Sequence, residues 1–267
     1  MKKYLSFFRL RFSMGLQYRV AAVAGIFTQF FWGFMEIMIF SAFYRADAAA
    51  FPMSLSATAS YIWMQQAFLV FFATWMLEGE IFDSIVNGNI AYELCRPVDI
   101  YNMWFARSIA NRTSRAVLRC FPILIVAFFL PAPYGLSAPA NGLYFLLFIV
   151  TLLLGLAVTV SFCVFIYVLT FFTISPQGLR MLFSSCVDFF AGAVIPLPFF
   201  PEKVRKIMEL LPFASMQNVP LRIYSGSMSG AEMKKAVLLQ IFWLFVITGA
   251  GKLLCRVALK KVVVQGG

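Results

Sequence analysis

The chain has 267 residues, of which 62% are hydrophobic and only 12% charged, and it carries a formal net charge of +11. Soluble domains hold about a quarter charged residues, so an ordinary soluble enzyme is excluded, and the apolar residues fall in runs of about 20, enough for a hydrocarbon core of about 30 Å. The basic residues flank those runs, as membrane topology requires, so the charge is not a nucleic-acid signal and no nucleic-acid partner is expected.

Residues 1–19 open the chain with Lys2, Ser6, Arg9, Ser13 and Gln17 at spacings of three and four, and with Tyr4, Leu5, Phe8, Phe12 and Leu16 opposite. That pattern predicts an amphipathic helix lying in the headgroup plane. The apolar run that follows is too long for a secretory h-region of roughly 7–15 residues, which argues against a cleaved leader despite Ala48-Ala49-Ala50. Six spans are predicted, over 20–43, 59–77, 113–131, 142–173, 179–197 and 236–255. The expected fold class is therefore an all-α polytopic membrane protein, with 1–267 forming one transmembrane domain. Fifteen of the 22 Lys and Arg lie on the side of the N-terminus, counting the basic tail Arg256–Lys261. The positive-inside rule then puts both termini in the cytoplasm of a multi-pass cell-membrane protein. Six of the remaining seven fall in 201–235, which runs against the rule.

Between the last two spans the chain reads Gly192-Ala-Val-Ile-Pro-Leu-Pro-Phe-Phe-Pro201. Pro201 opens a short helix with Val204, Ile207, Met208 and Leu211 as its apolar stripe, Pro212 ends it, and a second piece covers Ser215–Tyr224. So apolar a connection suits water poorly. A re-entrant helical hairpin over 198–226 on the outer side is the expectation, since half-helices at membrane depth survive only when buried in protein or lining a cavity.

The polar segment 78–97, after the second span, holds four of the eleven acidic residues. Ile81, Phe82, Ile85 and Val86 fall on one face of a short helix, with Glu80, Asp83 and Ser84 polar, and Asn87-Gly88-Asn89 stops it. An apolar face presented to the cytoplasm implies a protein partner. Resting on the headgroups suits the acids less well, because the inner leaflet is anionic.

Two acids fall inside spans, Glu36 in the first and Asp188 in the fifth, with Gln29, Ser184 and Ser185 as polar neighbours. Intramembrane acids cost about 2.5–3.5 kcal/mol at mid-span and mark functional candidates. These five residues either border a translocation path or clamp helices together, and both readings stay open. The five cysteines form no C-x-x-C pair and there is no histidine, so neither a metal nor another cofactor is expected. No phosphate-binding G-x-x-x-x-G-K-[ST] loop is present, since Gly251-Lys252 is followed by Leu253. The chain is not expected to be an enzyme.

The run Gly88-x-Ile90-x-x-x-Leu94-x-Arg96-Pro97-Val98 resembles the membrane subunits of type-2 ABC exporters. So do Gly192-x-x-Ile195-Pro196-Leu197 with Pro201, then Leu211-Pro212-Phe213 and Ile223-Tyr224-x-Gly226. The order of these short motifs along the chain carries the likeness. It implies a permease for export that hydrolyses no ATP itself, paired with a second permease, identical or paralogous, and with separate ATP-binding subunits. It also implies that the elbow 78–97 is a coupling segment, with motor docking at Glu80, Ile81, Phe82, Asp83, Ile85 and Val86. The alternative is an ion- or proton-coupled carrier or channel using Glu36 and Asp188. The substrate is not legible.

Overall fold

Without water to satisfy it, backbone crosses a bilayer only as helices or closed barrels. In the structure, a computed structural model describing residues 2–173 and 175–260, every regular element among the described residues is a helix. The Lys261 end of the basic tail lies outside them.

Three helices are long and apolar enough to cross a membrane by length and composition: α2 (Arg19–Ala46), α8 (Gly142–Leu169, continued by a turn to Phe172) and α13 (Gly230–Leu259). At 1.5 Å per residue, each exceeds about 40 Å. Helix α8 is apolar all round and forms the axis of the molecule, with Val158, Val160, Val164, Ile166 and Val168 fully buried. Its buried threonine hydroxyls turn back on their own helix, Thr151 to Leu147 O at 2.7 Å and Thr159 to Gly155 O at 2.9 Å, which satisfies them inside that core. Around it pack α13, α7 (Ile100–Phe129), and the short helices α11 (Pro212–Met216) and α12 (Asn218–Tyr224). Gly155 permits the tightest of these approaches, because a Cβ there would stand 2.3 Å from the Met216 carbonyl oxygen. Gln240 of α13 donates to Thr151 O at 3.1 Å and Ser215 O at 2.8 Å, joining three helices at one amide.

Outward, α2 exposes Phe27, Phe31, Trp32, Met38 and Phe43, and α13 exposes Leu238, Phe242 and Phe245. Apolar faces of this extent are not tolerated on a water-facing monomer. They form the lipid- or partner-facing belt of a membrane protein.

The expected span 59–77 is not one helix. It divides into α3 (Leu55–Ala67) and α4 (Leu69–Phe72), parted at Phe68. No glycine or proline stands at the break. Helix α4 itself stops at Phe72, where the buried guanidinium of Arg112 donates from Nη1 to Val70 O at 2.6 Å and so satisfies a carbonyl that a longer α4 would have used. The expected span 113–131 is the apolar second half of α7, whose first half carries Arg107 and Arg112 on buried positions. The expected span 179–197 is α9 (Pro176–Phe190), only about 22 Å long by the helical rise. Gly192, at φ +81°, turns the chain there. It then passes a turn, Leu197–Phe199, and α10 (Glu202–Leu210) before reaching α11 and α12.

Helix α10 is amphipathic but buries Met208 alone; Val204 and Ile207 of the expected stripe are exposed. Helix α12 is buried along its whole length, between α8, α3 and α13. The N-terminal helix α1 (Lys2–Gly15) lies against α7, with Tyr4 and Phe7 packed and Leu5, Leu10 and Met14 left exposed.

Candidate functional site

The elbow after α4 is built from α5 (Gly79–Val86) and α6 (Ile90–Leu94). Helix α5 ends at Asn87 because Gly88 adopts φ +73°, a left-handed conformation that glycine takes without strain. Its strongly amphipathic pattern predicts one apolar face, and the structure shows where that face points. Ile81 and Phe82 are fully buried in the protein's own core. The Phe82 ring meets Tyr167 edge-on at 5.0 Å, and the Arg180 guanidinium lies 5.1 Å over its centre. The expectation that Ile81 and Phe82 present an apolar face to a partner is therefore corrected as to their exposure: both lie in the core, and Phe82 holds the elbow to α8 and α9. Ile85 is half-buried, and Glu80, Asp83 and Val86 are exposed.

Charge fixes the elbow from a second side. Arg107 of α7 bonds both Glu78 and Glu80, with its own side chain 8% exposed, Glu78 14% and Glu80 76%. Burial opposes the Arg107 charge, and the two carboxylates more than offset it, so its pKa is pushed above the ordinary value. Ser108 donates to the other Glu78 oxygen at 3.2 Å, and the Glu78 backbone N–H donates to the Tyr167 hydroxyl at 2.8 Å. Trp104 stacks on Phe171 and donates from its indole to Glu93 at 2.8 Å, which secures α6.

The N-terminal helix closes the same assembly. Tyr4 Oη accepts from the Asp99 N–H at 3.0 Å, and Lys3 donates to Pro97 O at 2.5 Å. Burial lowers the Arg11 pKa, with neighbouring Arg107 adding to the shift and the elbow acids Glu78, Glu80 and Glu93 opposing it. What remains outside this frame is a patch of Glu80, Asp83, Val86, Tyr92 and Leu94. Tyr92 went unnoticed in the sequence because Gly88 separates it from the apolar stripe of α5, and Leu94 entered only through the family-like run that begins at Gly88.

The intramembrane polar residues do not form one cluster. Gln29 is buried, and neither atom of its side-chain amide has a hydrogen-bond partner. Glu36 is half-buried beside Gln66 of α3. Ser184 and Asp188 are half-buried on α9, and Ser185 is exposed. Helix α2 packs on α3 and α7, whereas α9 packs on α8 and α11. Among the described residues, no hydrogen bond or ion pair joins Gln29 or Glu36 to Ser184, Ser185 or Asp188. A direct meeting of the two acids inside one subunit is not what the fold provides.

Among the described residues, no group of His, Cys, Asp and Glu has the arrangement to hold a metal. The elbow is a charged surface held to the rest of the protein by ion pairs and buried aromatic contacts. None of the curated proteins compared matches the chain significantly. A family model described as ABC-2 family transporter protein matches residues 30–266, from the middle of α2 to the last residues of the chain. That match takes in the elbow, the broken helix and the buried α11–α12 pair together, and the chain belongs to the ABC-2 family of membrane transport proteins.

Proposed function

We propose that the chain is the permease subunit of an ATP-driven exporter in the cell membrane, energised by separate ATP-binding subunits that dock on the elbow. The observation that carries this reading is the contrast within α5: Ile81 and Phe82 are locked into the core while Glu80, Asp83 and Val86 stay exposed. A surface that transmits force has to be rigidly joined to the moving helices and still accessible to the motor. Docking is assigned to Glu80, Asp83, Val86 and the adjoining Tyr92, with Ile85 at the margin and Ile81 and Phe82 as the anchors beneath.

In this reading α2, α3–α4, the second half of α7, α8, α9 and α13 are six crossings with both termini in the cytoplasm. Helix α1 rests at the inner interface, and α10–α12 form a re-entrant hairpin on the outer side. The exposed apolar faces of α2 and α9 meet a second permease, so that Glu36, Ser184, Ser185 and Asp188 border a path between two subunits, while the buried Gln29 stays inside its own subunit. Burial of α11 and α12 in protein supports the hairpin, because irregular backbone at membrane depth must be enclosed.

The test is co-purification with a nucleotide-binding ATPase from the native membrane. Val86→Asp and Tyr92→Asp are expected to abolish co-purification while the permease still elutes as a monodisperse peak. Phe82→Asp is expected to lose the folded permease itself. Retained ATPase association in both surface variants would move the docking site elsewhere.

A further inference from the structure

A cavity of 630 Å³ lies between α10, α12 and the first turns of α13, away from the elbow. Its lining combines the charged residues Arg205, Lys206, Glu209, Glu232 and Lys235 with the apolar Leu210, Val219 and Leu239. The two carboxylates are already committed: Arg222, itself buried, bonds Glu209 at 2.9 Å and Glu232 at 2.8 Å. Lys235 makes no ion pair among the described residues, whereas Lys206 pairs with Glu202, outside the wall, and Arg205 lies 3.8 Å from Glu209. Lys235 is therefore the cation of the lining whose charge is uncommitted.

Asn218 also lines this cavity, 1% exposed, and neither its Oδ1 nor its Nδ2 has a hydrogen-bond partner. Leaving a buried amide unbonded costs about 1–3 kcal/mol, a cost that a polar ligand group would remove. A second, shallower groove of 490 Å³ continues along α13, sharing Ala231, Lys235 and Leu239 and adding Lys234, Leu238 and Phe242. One end of the combined space is cationic and hydrogen-bonding. The other is apolar and open to the side of the helix that exposes Leu238 and Phe242.

We propose that this is a binding site for an anionic phospholipid. The phosphate sits against Lys235, Lys206 and Arg205, Asn218 bonds its ester or glycerol oxygens, and an acyl chain lies over Leu239, Leu238 and Phe242. The inference rests on α13 crossing the bilayer, and requires no ATPase partner, so its failure and that of the motor-docking reading are separable.

Native mass spectrometry of the detergent-purified permease tests it, with phosphatidylglycerol, phosphatidylcholine and water-soluble glycerol phosphate as probes. Phosphatidylglycerol is expected to be retained in preference to phosphatidylcholine, and glycerol phosphate is expected not to displace it. Lys235→Gln, at an exposed position, should weaken retention about fivefold, the value of one cation near a lipid phosphate. Asn218→Leu keeps the side-chain shape and removes an unbonded buried amide, so the protein stays folded while lipid retention falls. Equal retention of the two lipids, unchanged retention in both variants, or displacement by glycerol phosphate would each overturn the proposal.

Discussion

Arg112 of α7 and Val70 of α4 are joined by a hydrogen bond of 2.6 Å, from a buried guanidinium that has no carboxylate partner among the described residues. The same side chain reaches Phe71 O at 3.5 Å and the Cys163 sulfur of α8 at 3.2 Å. A cation here is held by helix-end carbonyls, whose partial charges suit it. Arg112→Met should lower stability by about 3 kcal/mol, since it strips charged hydrogen bonds and leaves acceptors buried. The check is the midpoint of thermal unfolding in detergent. Arg112→Lys should recover only part of the loss, because an ammonium cannot span three acceptors as the planar fork does.

The Arg107 pairs should be unequal. Arg107→Ala leaves Glu78 nearly buried and without its cation, at a cost of about 3 kcal/mol, the low end for a broken buried pair. Glu80 is mostly in solvent, so Glu80→Ala should cost less than about 1 kcal/mol. Unfolding midpoints of both variants and their double mutant measure the difference; equal costs would mean that Arg107 does not hold the elbow through Glu78.

Native thiols report the proposed orientation. Cys95 in the elbow is exposed, Cys186 is half-buried, and Cys120, Cys163 and Cys255 are buried. A membrane-impermeant maleimide should label Cys95 rapidly in inside-out vesicles and not in right-side-out ones. Reversed sidedness would put the elbow outside the cell and remove it from any cytoplasmic motor.

Gly155→Ala should destabilise by about 1–3 kcal/mol, the usual cost of overpacking. The added methyl would meet the Met216 carbonyl at 2.3 Å, and backbone cannot rotate away as a side chain can. Loss of stability should accompany increased protease sensitivity of the α10–α12 segment.

The long helices were legible because sustained apolarity is read without knowing any neighbour. The early stop of α4 at Phe72 was not, because the group that takes up its end carbonyl lies more than forty residues downstream, in Arg112. For the same reason α5 looked like a free amphipathic helix: its apolar face is covered by Tyr167 and Arg180, which no local pattern connects to it. Arg222 shows the limit of counting charges. It was grouped with the basic residues of an external loop, yet it lies buried between Glu209 and Glu232. The elbow's position and its acidic character were readable, while the division between anchoring and exposed side chains required the fold.

The contact between α1 and α7 has a consequence for how the protein is made. Helix α1 docks on a helix that begins roughly 85 residues later, so throughout the synthesis of α2 to α6 the surface of α7 is not yet there for it to pack on. Its exposed Leu5, Leu10 and Met14 give it a membrane-surface foothold for that interval. Only when α7 arrives can Tyr4 reach Asp99 and Arg11 approach the elbow acids. The proposed docking surface is thus finished late, and a chain truncated before α7 would display the elbow without the helix that braces it.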